Sequence, residues 1–203
     1  MKRLLAVLPC LAVAVACGGS RVLVPPRLAL APHRPIGLVT FSVEGARGDL
    51  GPVATNRFRD EIFAAQAGTE VFELGELDDV LDGVARDRLD PEAARAIGEA
   101  RGVSALMLGH LVVSDVRPRA RLGPNPSVEA EVTVSLTARL VTTGSGGTVW
   151  SSTARARETV AGVGLIGGTP VFGARDPDEA YGQLLDRLVF AVTQDIRPTW
   201  EKR

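Results

Sequence analysis

Val128-Glu129-Ala130-Glu131-Val132-Thr133-Val134-Ser135-Leu136-Thr137-Ala138-Arg139-Leu140 alternates apolar and polar residues throughout. Side chains on a strand point to opposite faces in turn, so this period of two specifies a long strand with one dry face and one wet face. Thr143-Gly144-Ser145-Gly146-Gly147 is a turn, and Val149 to Arg157 returns as the antiparallel partner. On the wet face Glu129 and Glu131 are expected to oppose Arg155 and Arg157 across this hairpin.

Upstream, Val103 to Val116 reads as another strand, with Leu106 to Val113 as sheet interior. His110 lies inside that run and is the one candidate acid–base group of the fold. No Ser or Cys nucleophile pattern adjoins it in sequence, so the expected role is a satisfied structural histidine. Before it, Asp90 caps a helix that has Pro91 at its first position and Gly102 just past its end. Ala94, Ile97 and Gly98 lie along one side, small enough for close approach to a sheet. Leu77 to Val84 suggests a short helix after a strand at Glu70–Leu74. Asp78 and Asp79 point about 100° apart there, so they do not converge as a carboxylate pair. Ile36–Phe41 is a short apolar run suited to a strand buried on both faces. A helix follows it, capped by Asp49 and stopped by Gly68, with Leu50, Ala54, Phe58 and Ile62 as its stripe.

Downstream, residues 161–175 are rich in glycine and read as a loop. Gly162, Gly164 and Gly167 match G-x-G-x-x-G, but Thr169-Pro170 follows where a dinucleotide site needs a helix to open at once. Leu165, Ile166, Val171 and Phe172 are candidate partner contacts on that loop; the alternative is that they fold back on the hairpin. Asp176 caps a last helix from Pro177, with Tyr181, Leu184, Leu185, Leu188, Val192 and Ile196 on one stripe and Pro198 at its end.

The amino terminus decides the setting. Lys2 and Arg3 precede an uncharged run, Leu4–Ala16, which is followed by Cys17-Gly18-Gly19-Ser20. That is the layout of a secretory signal, and its 13 residues fall short of the ~20 that span hydrocarbon. Ala14-Val15-Ala16 before Cys17 resembles a bacterial lipobox, with Ala14 where the usual motif has Leu; it also fits an ordinary A-x-A cleavage site. The lipobox reading makes 1–16 a signal, Cys17 the acylated anchor and 17–34 a Pro-rich tether. Residues 35–197 are then one domain and 198–203 a polar tail. Gly18, rather than Asp, after the Cys points to an outer membrane.

Charge and composition narrow the classes. Removing Lys2 and Arg3 with the signal leaves 21 basic residues against 24 acidic, a net of −3, so no global field attracts nucleic acid. Cys17 would be the only cysteine left, which excludes an internal disulfide. Two His and no second Cys disfavour a zinc site, and no cofactor or small-molecule substrate is implied.

The order of strand, helix, strand, two helices, strand, long hairpin and helix gives an α/β (α+β) layer sandwich, a mixed sheet with helices packed on it. With the lipobox, it resembles the envelope lipoproteins of the LpoB, CsgG and TolB amino-terminal-domain group. The residues that carry the likeness are Ile36–Phe41, Glu70–Val84, Ala93–Gly109 and the hairpin Val132–Trp150. The resemblance implies a non-enzymatic, lipid-anchored periplasmic domain that docks on an unidentified envelope protein. The alternatives are a CsgG-type secretion subunit and a hydrolase using His110. Arg117–Ser127 is short and Pro-rich and 161–175 is Gly-broken, so neither is expected to supply membrane-spanning strands.

On the lipobox reading, Cys17→Ser is expected to move the mature protein from the detergent phase to the aqueous phase on Triton X-114 separation. Equal detergent partition of the variant would exclude acylation as the anchor.

Overall fold

The computed structural model describes residues 21–45, 49–114, 117–121, 127–166, 169–174 and 177–202. The expected signal, Cys17 and Asp176 lie outside them. Along the chain come β1 (Arg21–Val24), β2 (Ile36–Val39), β3 (Ser42–Glu44), α1 (Leu50–Ala65), β4 (Val71–Gly75), α2 (Leu77–Asp82) and α3 (Pro91–Arg101). Then follow β5 (Ala105–Val113), β6 (Arg117–Arg121), β7 (Ser127–Thr142), β8 (Thr148–Ile166), β9 (Thr169–Ala174), α4 (Pro177–Val192) and β10 (Thr199–Lys202).

The main sheet runs β4-β2-β5-β7-β8-β9, with β3 also paired to β5 and β6 to β7. β2 is parallel to both β4 and β5, whereas β5, β7, β8 and β9 are antiparallel in succession. The architecture is therefore a mixed sheet with helices packed on it. β2 is buried along its whole length, as its continuous apolar sequence requires.

Each sheet face has its own core. On one face Val132, Val134, Leu136, Ala138 and Leu140 of β7 meet Leu184, Leu185, Leu188 and Val192 of α4, with Phe58 and Ile62 of α1 in the same cluster. Every one of those β7 residues comes from the apolar register of the alternation. On the other face Ala93, Ala94 and Ile97 of α3 and Val80 and Leu81 of α2 cover Val39, Leu106, Leu108 and Val141. The Asp90 side chain caps α3 by accepting from Ala93 N–H at 2.8 Å, and Gly102 takes the left-handed C-cap at φ 66°. Asp49 precedes α1 but makes no side-chain cap there.

Gly109 is set by close packing. A Cβ at that position would lie 2.3 Å from the Phe41 ring, and Phe41 in turn stacks against Phe58 at a centroid distance of 5.1 Å. A glycine inside a strand here marks the approach of an aromatic ring.

Three expectations are corrected. Residues 161–175 are not a loop through most of their length. β8 runs on to Ile166 and β9 pairs with it, placing Leu165 opposite Pro170 and Val163 opposite Phe172. Backbone pairing along the β7 edge decides the conformation, and glycine does not prevent it. Both β7 and β8 are long, at 16 and 19 residues, so the argument that this region cannot form extended strands fails with it.

The tether and the tail are also structured. β1 pairs with β10, and Leu28 and Leu30 are buried in the main core. Gln66 clamps the segment: its Oε1 accepts from Leu30 N–H at 2.8 Å, and its Nε2 donates to the carbonyls of Leu28 at 2.7 Å and Ile196 at 2.9 Å. Pro-rich composition disfavours helix but not docking once two leucines find a core. Among the described residues no helix is long and apolar enough to cross a membrane.

Replacing Gln66 by Leu strands three backbone polar groups. It is expected to cost about 1–3 kcal/mol in urea unfolding and to expose residues 24–34 to limited proteolysis. Unchanged stability and protease resistance would show that the clamp is idle.

Candidate functional site: an open polar sheet face

Among the described residues, the α2–α3 layer reaches Val39, Leu106, Leu108 and Val141 of the sheet and ends there. Past that limit the wet residues of β7 and β8 have no helix over them. The ladder arranges them in rows. Ser42 of β3 stands beside His110 of β5, His110 beside Thr137 of β7, and Thr137 beside Thr153 of β8. The next row holds Glu44, Val112, Ser135 and Arg155, and beyond it Thr133 faces Arg157. Thr137 and Thr153 join their hydroxyls at 3.0 Å.

Where the helical layer stops, a cleft of about 340 Å³ opens between the starts of α2 and α3 and the strands. Its floor is apolar, from Val39, Leu108 and Val141, and its rim carries Ser42, His110, Thr137 and Arg139. Asp90 is on the same rim and is already engaged. The Ala93 N–H, with Arg88 and Arg86 adding attraction, holds its carboxyl below the usual range.

His110 is not sheet interior. Its side chain is 48% exposed, with Nδ1 2.8 Å from Ser42 Oγ and Nε2 3.6 Å from Glu44 Oε2. Residues 68 positions apart in sequence thus meet through the parallel β3–β5 register, which no local pattern reveals. The exposure removes burial as an objection to acid–base chemistry. The geometry gives a different objection. Glu44 is 72% exposed and sits beyond hydrogen-bond distance, so it does not lock the imidazole. Ser42 lies in the regular β3–β5 ladder and its Oγ is also 3.4 Å from the Gly109 carbonyl. The trio is better equipped to offer hydrogen bonds to a bound surface than to attack a carbonyl.

The expected pairing of Glu129 and Glu131 with Arg155 and Arg157 is not observed. The β7–β8 register places Glu131 opposite Thr159 and, past an irregularity between Ala130 and Glu131, Glu129 opposite Gly162. The two acids instead stand opposite Arg119 and Arg117 of β6. Arg155 and Arg157 are left opposite Ser135 and Thr133. A second hollow of about 480 Å³ joins Arg117, Arg155 and Arg157 with Glu131, Thr133 and Ser135. Among the described residues, no ion pair engages Arg117, Arg139, Arg155 or Arg157. A chain of near-zero net charge therefore presents a local cationic field.

Of the four contact candidates, Leu165 and Ile166 end β8 while Val171 and Phe172 are in β9, all in the β8–β9 hairpin at the end of β8 opposite the Thr143–Gly147 turn. They are far along the strands from His110. Among the described residues no group of three or more His, Cys, Asp or Glu is placed to hold a metal ion.

This is an α+β layer protein with one sheet face left open, polar and arginine-bearing. No family model matches the chain, and no curated protein matches it. Several solved structures are similar to it. PelC, a dodecamer from Paraburkholderia phytofirmans, shares 15% identity over 88% of this chain and 97% of its own, at a TM-score of 0.46. Lipoprotein GNA1162 from Neisseria meningitidis shares 17% over 75% of this chain and 92% of its own, at 0.41. The LpoB C-terminal domain from Salmonella enterica shares 13% over 61% of this chain and 83% of its own, at 0.38. With identities and scores this low, the functional reading rests on the geometry.

The depressed Asp90 carboxyl gives a pH signature. Its contribution to stability is complete above the ordinary aspartate pKa of about 4 and is lost as pH falls through the lower folded value. Asp90→Asn keeps a cap acceptor and is expected to flatten that acid limb in denaturant titrations from pH 6 to pH 2. An unaltered limb would assign it to other carboxylates.

Proposed function

We propose that this chain is a lipid-anchored envelope module, held at the periplasmic face of the outer membrane by Cys17, that binds another envelope protein and performs no chemistry itself. The observation that carries the docking half of this reading is the uncovered sheet face with its four arginines, which no ion pair engages among the described residues. Removing an arginine from water against an uncharged surface is expensive, whereas an acidic surface supplies the missing carboxylates in charge-assisted pairs. The partner surface is accordingly acidic, and Ser42, His110, Thr137 and Thr153 add polar contacts in fixed ladder positions. The β8–β9 hairpin with Leu165, Ile166, Val171 and Phe172 is the sheet edge proposed to add to this contact. The lipobox supports the anchoring half.

The test places a photocrosslinking residue at Thr153 in cells and follows the adduct in charge-reversed variants. The expected result is one adduct with an envelope protein. Arg155→Glu with Arg157→Glu weakens it at least about tenfold, and raised salt weakens it in parallel. An adduct indifferent to both would move the docking surface elsewhere. An adduct with a second copy of the chain would favour the assembly-subunit alternative.

A further inference from the structure

β1 and β10 form a two-stranded antiparallel ribbon separate from the main sheet. Such a ribbon has little stability in water without something packed on it. Every residue of it except Val24 is exposed. Leu23, 49% exposed, is the register partner of Trp200, 65% exposed. Arg21 is the partner of Lys202. Residues two apart share a strand face, so Arg21, Leu23, Trp200 and Lys202 stand together on one side. Val22 and Glu201 stand on the other.

An indole and an aliphatic side chain flanked by two long cations suit the boundary between headgroups and acyl chains. The rings and methyls enter the apolar margin while the cations reach lipid phosphate. The length of chain before the ribbon identifies what meets it. Arg21 follows Cys17 by four residues, which span at most about 14 Å when fully extended. A ribbon on so short a leash is held beside the leaflet that takes the acyl chains.

We propose that the β1–β10 ribbon is a membrane-surface contact, with Leu23 and Trp200 in the headgroup region and Arg21 and Lys202 against lipid phosphates. The placement rests on the Cys17 reading; the lipid affinity belongs to the ribbon. Contact at this second point, off the anchor, fixes how the body is turned relative to the membrane. A single flexible attachment would leave it free to rotate.

The experiment uses the full mature chain in vesicles of phosphatidylcholine with about 30% phosphatidylglycerol. The Trp200 signal is obtained as the difference between the wild type and Trp200→Phe, because Trp150 is the only other tryptophan. Mass spectrometry of the chain from cells reports acylation independently. For the acylated protein, the expected Trp200 emission is blue-shifted and quenched several-fold by brominated phosphatidylcholine. Unacylated Cys17→Ser protein is expected to bind the same vesicles weakly, and Leu23→Ser with Trp200→Ser to lower that binding at least about tenfold. Circular dichroism of the double variant checks that the body remains folded. Vesicle-bound acylated protein with unshifted, unquenched Trp200 overturns the ribbon contact and leaves the anchor standing. A chain without acyl groups overturns the anchor, and the Cys17→Ser arm then decides the ribbon alone. Binding that needs anionic lipid but ignores the double variant also overturns the contact.

Discussion

The register of β7 governs the rest of the molecule. Val132, Val134, Leu136, Ala138 and Leu140 must all face the α1–α4 layer, and a slip of one residue would turn them all to water. Once that set is buried, Thr133, Ser135, Thr137 and Arg139 have only the opposite side left. The wet face is thus a consequence of the dry one. It is open because α2 and α3 together cover only the β2–β5 side and the beginning of the hairpin. Packing on one face and an open polar surface on the other come from a single pattern.

The pattern made the hairpin legible from sequence. Asp90, Pro91 and Gly102 likewise announced α3, because caps are local and their chemistry is carried by one or two residues. What was not legible depended on partners distant in sequence. His110 sits in an apolar run, and only the extent of the helical layer decides that Leu108 is covered while His110 is not. Ser42 reaches it through a parallel pairing whose register no local sequence feature records. Glu129 and Glu131 miss Arg155 and Arg157 because the ladder register sets those arginines opposite Ser135 and Thr133, and the acids stand opposite the β6 arginines on the other side of β7.

The misread segments share a physical cause. Glycine in 161–166 and proline in 25–35 lower the intrinsic preference for regular structure, but composition alone does not set conformation. Tertiary contacts outweighed both. The β7 edge supplies backbone partners to β8 whatever its side chains are. Leu28, Leu30 and the Gln66 clamp draw the proline-rich segment onto the body. The free part of the proposed leash shrinks accordingly.

Net charge over the whole chain conceals how charge is distributed over its surface. Acidic side chains are concentrated elsewhere: Glu73, Glu76, Asp78, Asp79 and Asp82 line the exposed β4–α2 border. Near-neutrality over the whole chain is therefore compatible with a cationic sheet face, because screening in physiological salt confines each field to about 8 Å. The local potential of that face is set by the charges within that radius, its arginines together with Glu44 and Glu131, and the β4–α2 carboxylates contribute little. Ladder register decides which arginines those are. Arg117 and Arg119 stand opposite Glu131 and Glu129, whereas Arg155 and Arg157 stand opposite hydroxyls. A strand pairing that leaves two guanidinium groups without a carboxylate partner among the described residues forgoes intrachain attraction there and keeps their hydrogen-bond donors exposed.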